Sequence, residues 1–197
     1  DISGYSQAIL RDFYESQRFE LTNNHIHGNR CKEGTQAGAA FALVNVSGLV
    51  AGNVIVDNRC DRGGGGFLND TTNQNAVRLE RNRVERNSGT EADAHGGGFY
   101  LFGKSLAIVG NHFAGNEVSK WGGGLYVGAY VDGGQPTSAK LAWNVYVGNK
   151  AGVSGGGFFC DDGAQCASEN ELFVANCGGN VLLDGGPSTA PTVARFD

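Results

Sequence analysis

Apolar positions along the chain recur at fixed offsets from asparagine. In Asn24 to Asn29, Asn53 to Asn58, Asn82 to Asn87, Asn111 to Asn116 and Asn144 to Asn149, an Asn is followed two places on by a large apolar residue and five places on by a second Asn. The apolar slot holds Ile26, Ile55, Val84, Phe113 and Tyr146, and an aliphatic residue stands three places before each first Asn: Leu21, Val50, Leu79, Ile108 and Leu141. A sixth, degenerate copy has Glu171, Phe173 and Asn176 in these slots. Successive first Asn residues are 29 apart three times over, then 33 to Asn144 and 27 to Glu171. Each copy leads into a run of small residues closed by an apolar one, as in Gly38-Ala39-Ala40-Phe41, Gly64-Gly65-Gly66-Phe67, Gly96-Gly97-Gly98-Phe99, Gly122-Gly123-Gly124-Leu125 and Gly155-Gly156-Gly157-Phe158. After the run the alternation has period 2, as in Phe99 and Leu101 or Leu125 and Val127, which is the mark of strands. A fixed period of this length predicts a solenoid whose coils carry two or three short strands each and stack about 4.8 Å apart.

Stacking gives the polar and small residues a task. A column of Asn at one bend can donate to one neighbour while accepting from another, and Asn tolerates left-handed backbone. Glycine fits where φ is positive or where backbones approach too closely for a Cβ. The expectation for all of these residues is scaffold.

The regular pattern spans residues 19–180. Before it, Ser6 can cap a short helix in which Ile9 pairs with Phe13 and Leu10 with Tyr14, so residues 1–18 read as an N-terminal cap. The alternative is an incomplete first coil with an irregular insertion from Arg11 to Gln17. After it, Val181-Leu182-Leu183 reads as a last strand, and the remainder of 181–197 as a tail.

The chain has 33 glycines and 3 prolines in 197 residues, with 40% apolar residues, so the glycine is not that of a disordered segment. A net charge of −5 provides no general field for nucleic acid. No run of apolar residues is long enough to span a membrane. The opening at Asp1, without Met or a signal-peptide pattern, reads as a processed product or an excised fragment.

The repeated glycine-triplet-plus-apolar and Phe-x-x-Asn elements resemble the right-handed parallel β-helix of the pectin-lyase-like superfamily, and among these the repeat passengers of polymorphic outer-membrane and other adhesin-type proteins. The resemblance covers about residues 19–177. It implies an all-β right-handed solenoid of about five to six coils, and it leaves function open, because lyases, hydrolases and inert surface proteins share that scaffold.

Register also sorts the five cysteines. Cys31 and Cys60 each lie two residues after a second Asn, which stacks them within disulfide reach. Cys160 and Cys166 bracket a short loop that a disulfide can close; Cys177 is left free, or pairs with Cys166, or links to another chain. Disulfides imply an extracellular or cell-surface setting. Sequons at Asn45 and Asn69 permit N-glycosylation in a eukaryotic secretory route.

Candidate chemistry is sparse. Asp161 and Asp162 are the only adjacent carboxylates, and in β-helix polysaccharide hydrolases such a pair works with further groups to protonate the leaving oxygen and activate water. The accompanying Asn-Thr-Asp, His-Gly and Arg-Ile-Lys elements of that family do not occur here in order. A solvated loop or a weak Ca²⁺ site is the plainer reading. Arg83, with Arg78, Arg81 and Arg86, could grip an anionic polysaccharide; interleaved Glu80 and Glu85 favour a self-paired strand. His25 and His27 straddle the inward Ile26 on one face, with no third ligand evident in the sequence, so no metal is assigned there. Tyr100, Tyr126 and Phe159 each follow the first apolar residue after a glycine run. Alternation turns them outward in successive coils, as a ladder able to stack on sugar rings or on another protein, unless a loop covers them.

These features predict an extracellular structural or adhesive module with no enzymatic role and no cofactor, Ca²⁺ apart. Its partners would be further copies, neighbouring β-helix domains or carbohydrate; nucleic acid and membrane insertion are not among them. A lyase or hydrolase acting on acidic polysaccharide is the first alternative, and a non-catalytic carbohydrate-binding module the second.

Overall fold

A computed structural model describes residues 1–4, 10–12, 18–31, 38–70, 76–129, 136–161 and 163–183, with backbone alone for 10–12. These residues form four parallel sheets wound as a right-handed solenoid. Sheet I contains His25–His27, Val54–Val56, Arg83–Glu85, His112–Ala114, Val145–Val147 and Leu172–Val174, preceded by Ile2–Ser3. Sheet II is short: Arg59–Cys60, Ser88–Gly89, Glu117–Val118 and Lys150–Ala151. Sheet III runs through Leu10–Asp12, Phe41–Val44, Gly66–Asn69, Phe99–Phe102, Leu125–Val127, Phe158–Cys160 and Val181–Leu183. Sheet IV holds Arg18–Thr22, Ser47–Ala51, Ala76–Glu80, Ser105–Val109, Ser138–Ala142 and Gln165–Glu169. The chain passes from sheet IV to I, II and III, then one coil onward to IV.

The apolar slots of the repeat are the core. Ile26, Ile55, Val84, Phe113, Tyr146 and Phe173 pair in register down sheet I and are buried. The last three rings stack face to face, with centroids 5.1 and 4.6 Å apart.

Both Asn positions form continuous ladders at the bends flanking sheet I. Asn82 shows the unit: its backbone N–H and Nδ2 donate to Asn111 Oδ1 at 3.0 and 2.9 Å, and Nδ2 also donates to Val50 O, one coil back, at 2.9 Å. The second ladder repeats this from Asn29 to Asn176. Every ladder Asn from Asn29 to Asn149 is buried, so each bond satisfies a group that water does not reach.

The left-handed residue of each bend is the one before the Asn, not the Asn itself. Asn23, Gly52, Arg81, Gly110, Trp143 and Asn170 precede the first ladder with φ between 50° and 65°; Gly28, Asp57, Arg86, Gly115, Gly148 and Ala175 precede the second. That backbone turn frees the Asn to point inward as a donor and acceptor. The glycine triplets divide their work as well: Gly122 has φ 69°, while a Cβ on Gly124 would lie 2.6 Å from the carbonyl oxygen of Gly157 in the next coil.

The N-terminal segment departs from the helical cap. Leu10–Asp12, which that helix would include, is a strand paired with Phe41–Val44, and Ile2–Ser3 pairs with the strand of His25–His27. The pairing is that of an incomplete first coil, because an open strand edge offers these residues backbone partners that a helix lying across it would not. The rest of the predicted cap, including Ser6, Ile9, Phe13 and Tyr14, lies outside the described residues, as does the tail after Leu183. Both predicted disulfides are present: Cys31–Cys60 joins adjacent coils with Cα atoms 4.7 Å apart, and Cys160–Cys166 closes its loop. Cys177 is exposed and not disulfide-bonded.

Candidate functional site

The outer face of sheet III carries a cluster of aromatic side chains outside the core. Register places Ala42, Phe67, Tyr100, Tyr126, Phe159 and Leu182 in one outward column. Tyr126 lies 5.1 Å from Tyr100 and 5.3 Å from Phe159, ring centroid to centroid. The predicted aromatic ladder therefore exists, but it is not the exposed ladder expected: Tyr126 and Phe159 are only 4% and 1% exposed.

A second row of rings provides part of the cover. His95 and Trp121, the residues immediately before two glycine triplets, form a parallel bridge and stack at 4.9 Å. His95 packs against Tyr126 at 4.9 Å, Trp121 against Phe159 at 5.5 Å, and Phe102 covers Tyr100 from the other side at 4.9 Å. Phe67, Tyr100, Phe102, His95 and Trp121 remain half-buried and form the accessible surface of the cluster. Sequence reasoning missed this row. The signal was available, since the position before the last three glycine triplets holds His95, Trp121 and Ser154 in register.

Charge lies along one rim. Lys120 Nζ sits 4.4 Å above the Trp121 ring and bonds Asp93 at 2.8 Å, and Arg62 pairs with Glu91. Burial, with Lys120 adding to it, lowers the His95 pKa to about 4, so the imidazole is neutral at neutral pH. Its Nδ1 is buried without a hydrogen-bond partner among the described residues. The Tyr126 hydroxyl donates to Asp161 Oδ2 at 2.5 Å. The arrangement offers flat apolar rings edged by a carboxylate and an ammonium group, which suits a ring-shaped, hydroxyl-rich ligand.

Of the residues considered for polysaccharide cleavage, the described Asp161 and Arg83 lie at different sheets. Asp161 follows a sheet III strand, whereas Arg83 opens a sheet I strand and donates to both oxygens of Glu85 at 2.5 and 2.8 Å. That pairing, led by the Arg83 hydrogen bonds, holds the Glu85 carboxyl below its ordinary pKa. Arg86 grips Asp57 at 2.8 Å through two nitrogens, and Arg78 pairs with Glu80, so the arginine coil is self-paired as its alternating charges predict. Asp162 lies outside the described residues. Asn45 and Asn69 are half-buried, Asn45 just after one sheet III strand and Asn69 as the last residue of the next.

His25 and His27 do project together from sheet I, their rings stacked at 4.4 Å, and His27 Nε2 lies 2.8 Å from Asp1 Oδ1. Asp1 is the neighbour that the sequence did not reveal.

The family described as "Right handed beta helix region" matches residues 6–138. No curated protein and no solved structure matches the chain.

Proposed function

The chain belongs to the right-handed β-helix family, and from that premise we propose that it is an extracellular structural and adhesive module whose aromatic face on sheet III holds carbohydrate. The observation that carries this reading is the two-row array of Phe67, Tyr100, Phe102, His95 and Trp121, half-open and bordered by Lys120 and Asp161. Rings fixed on a rigid sheet lose little freedom on binding, and they present apolar planes that match the C–H faces of sugars. Two disulfides support an oxidising setting, and no helix among the described residues is long and apolar enough to cross a membrane.

The test is binding to arrayed neutral and acidic oligosaccharides by the intact chain and by the Tyr100→Ala/Trp121→Ala double variant. Loss of two stacking rings lowers affinity about ten- to hundredfold. Equal binding by the folded variant, or no binding by the parent, would overturn the assignment. Cleavage of an acidic polysaccharide by the parent, abolished in Asp161→Asn, would establish the lyase or hydrolase reading instead.

A second reading, end-to-end assembly with another copy or with further coils, draws on the last described coil. There Leu172 and Val174 on sheet I are each 43% exposed and Leu182 on sheet III is 36% exposed, apolar side chains on the two terminal strands whose outer edges are open. Particle mass by light scattering over a hundredfold concentration range rises if this surface is used. A constant monomer mass rejects self-assembly.

A further inference from the structure

We propose that Asp1, His25 and His27 form a binding site for a late first-row divalent cation of the Zn²⁺ or Cu²⁺ class. Ile2 pairs with Ile26 and Ser3 with His27 across adjacent strands, which brings Asp1 level with His25 one coil away. Ile26 is buried, so the histidines on either side of it both face outward. One ligand atom from each of the three side chains lies within 4.8 Å of the others. Ligands about 2.0–2.1 Å from a tetrahedral zinc are about 3.4 Å apart. Asp1 and His25 are exposed and His27 is half-buried, so rotation of exposed side chains can close that gap without moving the strands.

The donor set defines the ion. Two imidazole nitrogens and one carboxylate suit zinc, copper or nickel, whereas Ca²⁺ and Mg²⁺ require oxygen shells. Three ligands also leave a coordination position for water or for a group on a partner. Because Asp1 belongs to the first coil and the histidines to the second, a bound cation cross-links the two. The Cys31–Cys60 disulfide does the same for the next pair of coils.

The experiment is calorimetric titration of the tag-free chain with Zn²⁺, in a Cys177→Ser background that removes the exposed thiol. One ion binds per chain, and affinity drops about a hundredfold in His25→Ala/His27→Ala and about tenfold in Asp1→Asn. His112→Ala, on a different strand of sheet I, leaves binding unchanged. With Cu²⁺, electron paramagnetic resonance reports two coordinating nitrogens in the parent and fewer in either single-histidine variant. Unchanged stoichiometry and affinity in the folded double-histidine variant, or an equal loss in His112→Ala, would overturn the site. Competition by millimolar Ca²⁺ would overturn the assignment of cation class.

Discussion

Replacing Asn111 with Leu cuts one rung from the middle of a buried ladder while keeping the branched shape and the number of side-chain heavy atoms. Asn111 Oδ1 accepts the backbone N–H and Nδ2 of Asn82 at 3.0 and 2.9 Å, and its Nδ2 donates to Asn144 Oδ1 at 3.0 Å and to Leu79 O at 2.8 Å. These four bonds and the longer one from Nδ2 to Val109 O at 3.3 Å disappear, and the orphaned N–H of Asn82 has no water to turn to. At about 1 kcal/mol per net hydrogen bond, and more for a buried donor left unpaired, the loss is about 4–6 kcal/mol. That approaches the whole stability of an ordinary domain, about 5–15 kcal/mol. Asn24→Leu is the matched control at the end of the same ladder. Asn24 is half-buried, and one of its bonds, to Thr22 O, is exposed, so water replaces much of what is lost and the change is about 1 kcal/mol. Denaturant unfolding followed by far-UV circular dichroism gives the two differences, and amide exchange at Asn82 and Asn144 locates the damage. Equal effects at positions 111 and 24, or a loss below about 1 kcal/mol at 111, would refute the ladder as a source of stability.

Three further outcomes follow from particular residues. Burial raises the Glu171 pKa from 4.5 to about 7, so the folded chain holds that proton more tightly and stability from this group falls as pH rises across that interval, by about 3 kcal/mol at most. His95, lowered from 6.5 to about 4, acts in the opposite sense, losing stability as pH falls through its window; Glu171→Gln thus leaves an unfolding midpoint that rises with pH between 4 and 6.5. Gly98→Ala places a Cβ 2.3 Å from Gly124 O and 3.0 Å from the Phe113 ring, for a loss of about 3 kcal/mol or more, whereas Gly110→Ala, with φ 65° and its Cβ in ordinary contact with Arg81 Cγ at 3.6 Å, loses about 1–2 kcal/mol; thermal unfolding ranks the pair. Trp143→Gly relieves a left-handed residue that is 63% exposed, and it raises the melting midpoint by the equivalent of up to about 1 kcal/mol after the entropy of an added glycine is subtracted.

The coil architecture was legible because its constraints repeat. Asn24, Asn53, Asn82 and Asn111 fall at one spacing, and the same register that stacks them stacks Cys31 on Cys60. Where the repeat stops, so does legibility: Ile2–Ser3 and Leu10–Asp12 carry no motif, and a local helical pairing competes with the strand edge that captures the latter. The left-handed positions were hidden by variety, since Arg81, Trp143 and Gly110 share a conformation but no chemistry. Alternation assigned Tyr126 and Phe159 to the outer face correctly, yet period 2 is blind to what lies above a face. Their burial depends on His95 and Trp121, which approach from an adjoining bend. Asp1 joins His25 and His27 through a pairing between coils that only the folded register displays.

The most direct test of the adhesive account is the fluorescence of Trp121 in a Trp143→Phe chain, where it is the sole tryptophan, during titration with the oligosaccharides that the intact chain binds on an array. Carbohydrate held on the aromatic face gives a saturable change in Trp121 emission, with a midpoint that shifts when Tyr100 is replaced by Ala. Binding that leaves Trp121 emission unaltered at saturation would place the ligand elsewhere and contradict the aromatic face as the adhesive surface.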